Sequence, residues 1–412
     1  MTLSRQSMKR DILNLTVVVS ALGYFVDIYD LVLFSIVRVS SLKSLGVPDD
    51  QLLNVGVRLL NMQMTGMLIG GVVWGILGDK LGRVSVLFGS ILMYSLANIA
   101  NGLITDVDSY AWLRLIAGIG LAGELGAAIT LVAETLPKES RGIGASVVAA
   151  VGVSGALLAA MISKYFSWQS SYIIGGVMGL LLLILRVKML ESGMFHKVKE
   201  QSGIIRRGDF MMLFSNLQRF GRYLDCILVG IPLWFVVGII VTFSPEICRE
   251  LGATGPVSAG DAIFWCYAGL VIGDIGSGFF SQWLKSRKRA LWYFQVSSAL
   301  LVGVFLFSRG FSSSYYLALC FFIGIGVGYW AIFVTVAAEQ FGTNLRATVT
   351  TTVPNFVRGS VVLTTTAFTF LKPYIGTVQS AMTVGMVSFT IGLFAIRRLE
   401  ESFSKDLNFI EH

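Results

Sequence analysis

The 412-residue chain is 55% apolar and only 14% charged, with a mean hydropathy of +0.74, far from the roughly one-quarter charged composition of soluble globular proteins. That excludes a soluble enzyme, and the net charge of +8 does not read as nucleic-acid binding, because the basic residues are divided among short loops without interleaved aromatics. The chain reads as an integral membrane protein surrounded by lipid.

Apolar runs of about twenty residues, the length that crosses a bilayer as a helix, recur from end to end. They predict twelve spans, at 12–37, 55–77, 84–104, 110–134, 143–165, 171–190, 224–244, 261–284, 290–308, 315–338, 347–371 and 377–396. A β-barrel is excluded because the runs are continuous, whereas barrel strands alternate with period two. The first span is too long for a signal peptide, carries two acids and lacks a small-residue cleavage site. With a cytoplasmic N-terminus, 23 of the 32 Lys and Arg fall on the cytoplasmic side, six outside, and Arg58, Arg114 and Arg358 inside spans. Both termini are therefore expected in the cytoplasm.

Cys226, Cys266 and Cys320 sit in or at spans and Cys248 stands alone in an external loop, so neither a disulfide framework nor a metal spacing is visible. The one glycosylation-type triplet, Asn14-Leu15-Thr16, lies at the cytoplasmic start of the first span. A bacterial inner membrane is the expected location. No phosphate loop, nucleotide fold or nucleophile triad appears, and no cofactor or metal is expected.

The chain repeats itself. RLIAGIGLAGELGAAITLVAETLPKESRG, from Arg114, matches CFFIGIGVGYWAIFVTVAAEQFGTNLRA, from Cys320: both carry GIG early, an Ala-Glu pair near the end and an Arg seven residues later, with Glu134 and Arg141 in the first copy and Glu339 and Arg346 in the second. Spans four and ten are thereby in register. The expected organisation is a six-helix bundle over 1–190, a cytoplasmic linker over 191–222 and a second six-helix bundle over 223–412. Parallel repeats of this kind occur in secondary transporters that hold substrate at the midplane between them.

After the second span the chain reads GILGDKLGR, with Gly75, Asp79, Lys80, Gly82 and Arg83 in the GxxxD(R/K)xGR spacing of the major facilitator superfamily, which the chain resembles. The matching stretch from Gly278, GFFSQWLKSR, keeps the glycine and the basic end but has Gln282 in place of the acid. The resemblance implies an all-α, twelve-helix transporter in two pseudo-symmetric six-helix bundles, and assigns this motif, with Glu134 and Arg141, to a conformational latch. Its physics is readable here: glycines allow a tight turn, and Asp79 can meet the positive end of a neighbouring helix. Span one, with its Asp-x-x-Asp pair, and the end of span four are similar to bacterial metabolite:proton symporters and to organic-cation and organic-anion transporters. Span five lacks the GPxxGG pattern of proton-coupled drug exporters in this superfamily.

Embedded polar residues carry the functional expectations. Asp27 and Asp30 lie about 60° apart on one helical face, and each costs roughly 2.5 to 3.5 kcal/mol at a span centre. Two such acids suit a proton-loading pair. Glu124, among glycines in GIGLAGELG, is a third proton-site candidate. Arg114 matches the Arg that opens span four in the superfamily's RxxxGxG pattern, and is assigned to proton coupling or local structure. In span eleven, Arg358 follows Asn355 and Pro354. A guanidinium stays charged, needs an anion in hydrocarbon, and captures a carboxylate bidentately, so Arg358 is the expected substrate anchor, with Asp274 and Asp225 as competing partners. Asn355, Tyr29, Trp330 and Tyr267 are assigned to the pocket, as further aromatics are to its walls. The expected function is proton-coupled uptake of a small organic anion or zwitterion by a monomer; the alternative is an organic-cation or drug/siderophore exporter or uniporter.

Overall fold

The computed structural model describes residues 15–81, 83–124, 126, 148–191, 210–342, 344–403 and 411. Among these the architecture is helical, with one isolated bridge, Thr254 to Ser312, outside the helices. In chain order the helices are α1 Leu15–Ser44, α2 Leu52–Leu81, α3 Arg83–Asn101, α4 Val107–Leu121, α5 Gly155–Tyr165 and α6 Trp168–Glu191. There follow α7 Leu217–Phe235, the short α8 Ser244–Glu250, α9 Ala259–Leu284, α10 Arg287–Phe307, α11 Ser313–Val327, α12 Trp330–Glu339, α13 Arg346–Ile375 and α14 Thr377–Arg398. Nine helical stretches among the described residues are long and apolar enough to cross a membrane. The expected spans at 84–104 and 347–371 coincide with α3, whose apolar part is the shorter Val86–Asn101, and with α13, whose threonines dilute its apolar content.

α1 to α6 pack on one another, and α7 to α14 do likewise. The two sets meet where α2 lies along α13, α5 along α9, and α1 against α9. Close crossings rest on glycines of the repeat. A Cβ on Gly118 would strike the carbonyl of Gln63 in α2, and a Cβ on its repeat counterpart Gly324 would strike the carbonyl of Cys266 in α9. With no hydrophobic drive between helices in lipid, such small-residue contacts supply the packing.

Both copies of the repeat break their helix at the same place. Aligning Gly118 and Gly120 with Gly324 and Gly326 sets Ala122–Gly123, where α4 gives way to a turn, opposite Gly328–Tyr329, where α11 gives way to α12. A broken helix in a bilayer exposes backbone groups that other protein groups must satisfy. In the first break Trp74 donates from Nε1 to the Ile119 carbonyl at 2.6 Å and Asn355 donates from Nδ2 to the Ala122 carbonyl at 2.8 Å. In the second the Ala331 N–H donates to Asp274 Oδ1 at 3.1 Å. α7 is irregular too: it contains Pro232 and continues as a π-helical stretch, Val236–Val241, as expected where proline removes a backbone donor.

At the end of α1 the two sets are tied by charge. Arg38 is fully buried, pairs with Glu246 of α8 at 2.7 Å, donates to the carbonyls of Leu52 and Thr242, each at 3.3 Å, and lies over the Phe243 ring. Thr242 also donates to Ser35 Oγ at 3.0 Å, and Thr365 of α13 to Asn61 of α2 at 2.6 Å.

Candidate functional site

α1 and α13 bring the central charges together. Asp27 and Arg358 are both fully buried, with Arg358 Nη2 3.6 Å from Asp27 Oδ2. That distance is an ion pair without a hydrogen bond: among the described residues neither Asp27 oxygen accepts one, and none of the three Arg358 nitrogens donates one. Two indoles enclose the guanidinium. Its centre lies 5.7 Å from the Trp234 ring and 5.8 Å from the Trp330 ring, and those rings meet edge to face at 6.1 Å. Both indole N–H groups also lack a partner. Tyr24 and Tyr267 are buried within electrostatic reach of Arg358. The result is a buried, aromatic-walled cluster of unused donors between the two sets of helices.

The other charges of α1 to α6 are more fully engaged. Glu124 forms a bidentate pair with Arg186 of α6, Nη1 to Oε2 at 3.0 Å and Nη2 to Oε1 at 2.5 Å. Gly23 of α1 makes room for it, since a Cβ there would overlap both the carboxylate and the guanidinium. Arg114 donates to Asn98 Oδ1 at 2.6 Å and to Gln63 Oε1 at 3.5 Å, and lies 4.9 Å over the Tyr172 ring. Asp30 is buried beside Gly175 of α6 with both oxygens free of hydrogen bonds, and Arg114 is its leading electrostatic partner.

A family model described as the Major Facilitator Superfamily matches residues 20–362. The chain belongs to that superfamily. Among curated relatives, a provisionally named metabolite transport protein of Haemophilus influenzae is 29% identical over 244 residues, 52% of this chain and 56% of that protein. The 4-hydroxybenzoate transporter of Pseudomonas putida is 25% identical over 286 residues, 61% of this chain and 62% of its own length. A Bacillus subtilis protein provisionally named as a niacin/nicotinamide transporter is 24% identical over 354 residues, 82% of this chain and 84% of its own length. The chain thus spans little more than half of the first two relatives. In structure it superposes on a proton:xylose symporter bound to 6-bromo-6-deoxy-D-glucose with a TM-score of 0.70 and 16% identity, covering 98% of both chains, a likeness of fold. Superfamily and relatives are transporters, and the chain is not an enzyme.

Within this superfamily fold the expected site residues separate into groups. Asp27, Arg358, Trp330 and Tyr267 come together. Tyr29 lies elsewhere: its hydroxyl donates to the Ser171 carbonyl at 2.8 Å and ties α1 to α6. Asn355 spans the two sets of helices at the α4 break. Asp225, offered as a partner for Arg358, pairs with Arg398 at 3.2 Å instead. A Cβ on Gly75 would lie 3.8 Å from the Thr352 methyl of α13; the side chains of Asp79, Lys80 and Arg83, and all of Gly82, Glu134 and Arg141, lie outside the described residues.

Sequence reasoning passed over Arg186, near the end of a span, where a basic residue reads as an interfacial anchor. Its signal was Glu124 itself, a mid-span acid that required a cation.

Proposed function

We propose that this superfamily member takes up a small organic anion or zwitterion together with protons, with bundles 1–190 and 223–412 rocking about the Asp27–Arg358 pair in a bacterial inner membrane, as a monomer with both termini in the cytoplasm. One observation carries the reading: a buried guanidinium whose donors are unused, held in an indole cage and facing an acid it does not hydrogen-bond. Such a group is preorganised for a carboxylate, which Arg binds with two parallel N–H···O bonds.

Substrate and proton are linked through this pair. When the substrate carboxylate takes Arg358, Asp27 loses its counter-charge inside the bilayer, and protonation removes the resulting penalty. Binding of one then favours the other by the same factor. Asp30, beside Arg114, is a second protonatable group on the same helix face. Glu124, saturated by Arg186, is better suited to holding α4 against α6 than to exchanging a proton. Relatives named for 4-hydroxybenzoate, niacin and 3-(3-hydroxy-phenyl)propionate support a planar ring carrying a carboxylate, which the indoles of Trp234 and Trp330 would stack.

The test is uptake into proteoliposomes of radiolabelled nicotinate and 4-hydroxybenzoate under an inward proton gradient. Accumulation of either that collapses with a protonophore and is lost in Asp27→Asn supports the reading. Gradient-independent flux of both would sink proton coupling.

A further inference from the structure

Asp274 of α9 stands apart from the other buried acids. Asp27 has Arg358, Glu124 has Arg186, Asp225 has Arg398, and Arg114 acts on Asp30. Asp274 is 5% exposed and, among the described residues, has no Lys or Arg within ion-pair distance. Its Oδ1 accepts the Ala331 N–H at the first turn of the ten-residue α12, and its Oδ2 has no partner. The positive end of a helix attracts a carboxylate, so this acid is fixed to the α12 turn through one oxygen while the other is left unused. A buried carboxylate with only part of its charge compensated is costly in hydrocarbon.

The same turn that Asp274 holds begins with Trp330, whose ring faces Arg358. Tyr24 lies within electrostatic reach of Arg358, Asp27 and Asp274 alike. The cluster therefore has two poles. One consists of donors, the Arg358 nitrogens and the indole N–H groups of Trp234 and Trp330; the other is the free oxygen of Asp274. Trp330 joins the two, its ring against Arg358 and its turn held by Asp274, and aromatic faces attract cations.

We propose that the substrate is a zwitterion, its carboxylate on Arg358 and its cationic group at Asp274 against the Trp330 and Tyr24 rings. The proposal rests on Arg358 being the carboxylate anchor. Charge balance favours it over a simple anion. With both acids ionised, Asp27, Asp274 and Arg358 carry one net negative charge, and a monoanion would add a second in a buried site. A zwitterion adds none, and one proton on Asp27 then leaves the loaded site neutral.

Nicotinate and N-methylnicotinate form a matched probe pair: they share ring and carboxylate and differ by a methyl group that fixes a positive charge. Calorimetric titration of the full purified chain is expected to give N-methylnicotinate at least about tenfold tighter binding than nicotinate, the scale of a desolvated cation–π contact with an ion pair. Asp274→Asn keeps a carbonyl oxygen for the Ala331 N–H and is expected to reverse the order, weakening N-methylnicotinate and strengthening nicotinate. Equal or tighter binding of nicotinate by the wild type overturns the proposal without any variant, as does a preference for N-methylnicotinate that survives Asp274→Asn. Nicotinate binding that is lost in Arg358→Lys while N-methylnicotinate fails to bind defeats the zwitterion alone and leaves the carboxylate anchor standing. Failure of the wild type to bind either probe defeats both.

Discussion

The two helix breaks are made by the same glycine-rich repeat and serve different ends. At the α4 break the next described side chain, Glu124, is saturated by Arg186, and the freed carbonyls are taken by Trp74 and Asn355. At the α11–α12 break the next side chain, Trp330, faces an Arg358 with unused donors, and the freed N–H is held by an acid with an unused oxygen. A common backbone device thus yields a closed joint in one set of helices and a cluster of unpaired donors in the other.

That contrast can be broken at several points. Arg358→Ala removes the open guanidinium and strands Asp27, so substrate-dependent uptake in proteoliposomes should fall a hundredfold or more, on the order expected for losing one partner of a buried charge pair. Arg358→Lys should retain only a few per cent, because a point charge cannot replace the planar fork. If Arg358→Ala transports normally, the open cluster is not the site.

Arg186→Gln tests the closed joint by leaving Glu124 unpaired. A stability loss of about 3–5 kcal/mol is expected, read as a lower Tm in detergent, with Glu124→Gln/Arg186→Gln recovering most of it. Unchanged Tm in Glu124→Gln together with lost proton dependence of uptake would instead return Glu124 to the proton path. Gly23→Ala drives a methyl into the same pair and should cost about 1–3 kcal/mol, with a smaller cost in the double-Gln background because the two sites are coupled.

At the Arg38 end, Glu246→Gln removes the charge that holds α8 to α1 while Arg38 keeps its two carbonyls. About 1–3 kcal/mol of closure should be lost, and maleimide labelling of Ser35→Cys should speed up severalfold; an unchanged rate would show that this contact does not gate the halves. Tyr29→Phe gives the smallest effect, about 1 kcal/mol of stability for the lost bond to Ser171, with KM unaltered. A changed KM would put Tyr29 back in the pocket.

Much of the fold is legible in the chain because the bilayer imposes it: apolar runs of fixed length become helices, and the GILGDKLGR stretch names the superfamily. Asp27, Asp30, Glu124 and Arg358 are visible for the same reason, since a charge in hydrocarbon is rare and must be compensated. Their partners are not visible. Asp27 meets Arg358 across 331 positions of sequence, while Asp225, one of the two partners expected for that arginine, pairs with Arg398. Tyr29 and Tyr24 are five residues apart on one helix, yet one is tied to α6 and the other lies beside the site, a distinction of helix rotation that side-chain type does not encode.

The sequence by itself determined that this is a helical membrane protein with an internal repeat, repeated glycines and a few obligatory buried charges, because each of those is constrained by the cost of polar groups in lipid. Only the tertiary structure decided which charge is closed by which partner. Pairing depends on how α1, α6, α9 and α13 are rotated and how closely they approach, and those rotations are set by the packing of many side chains at once.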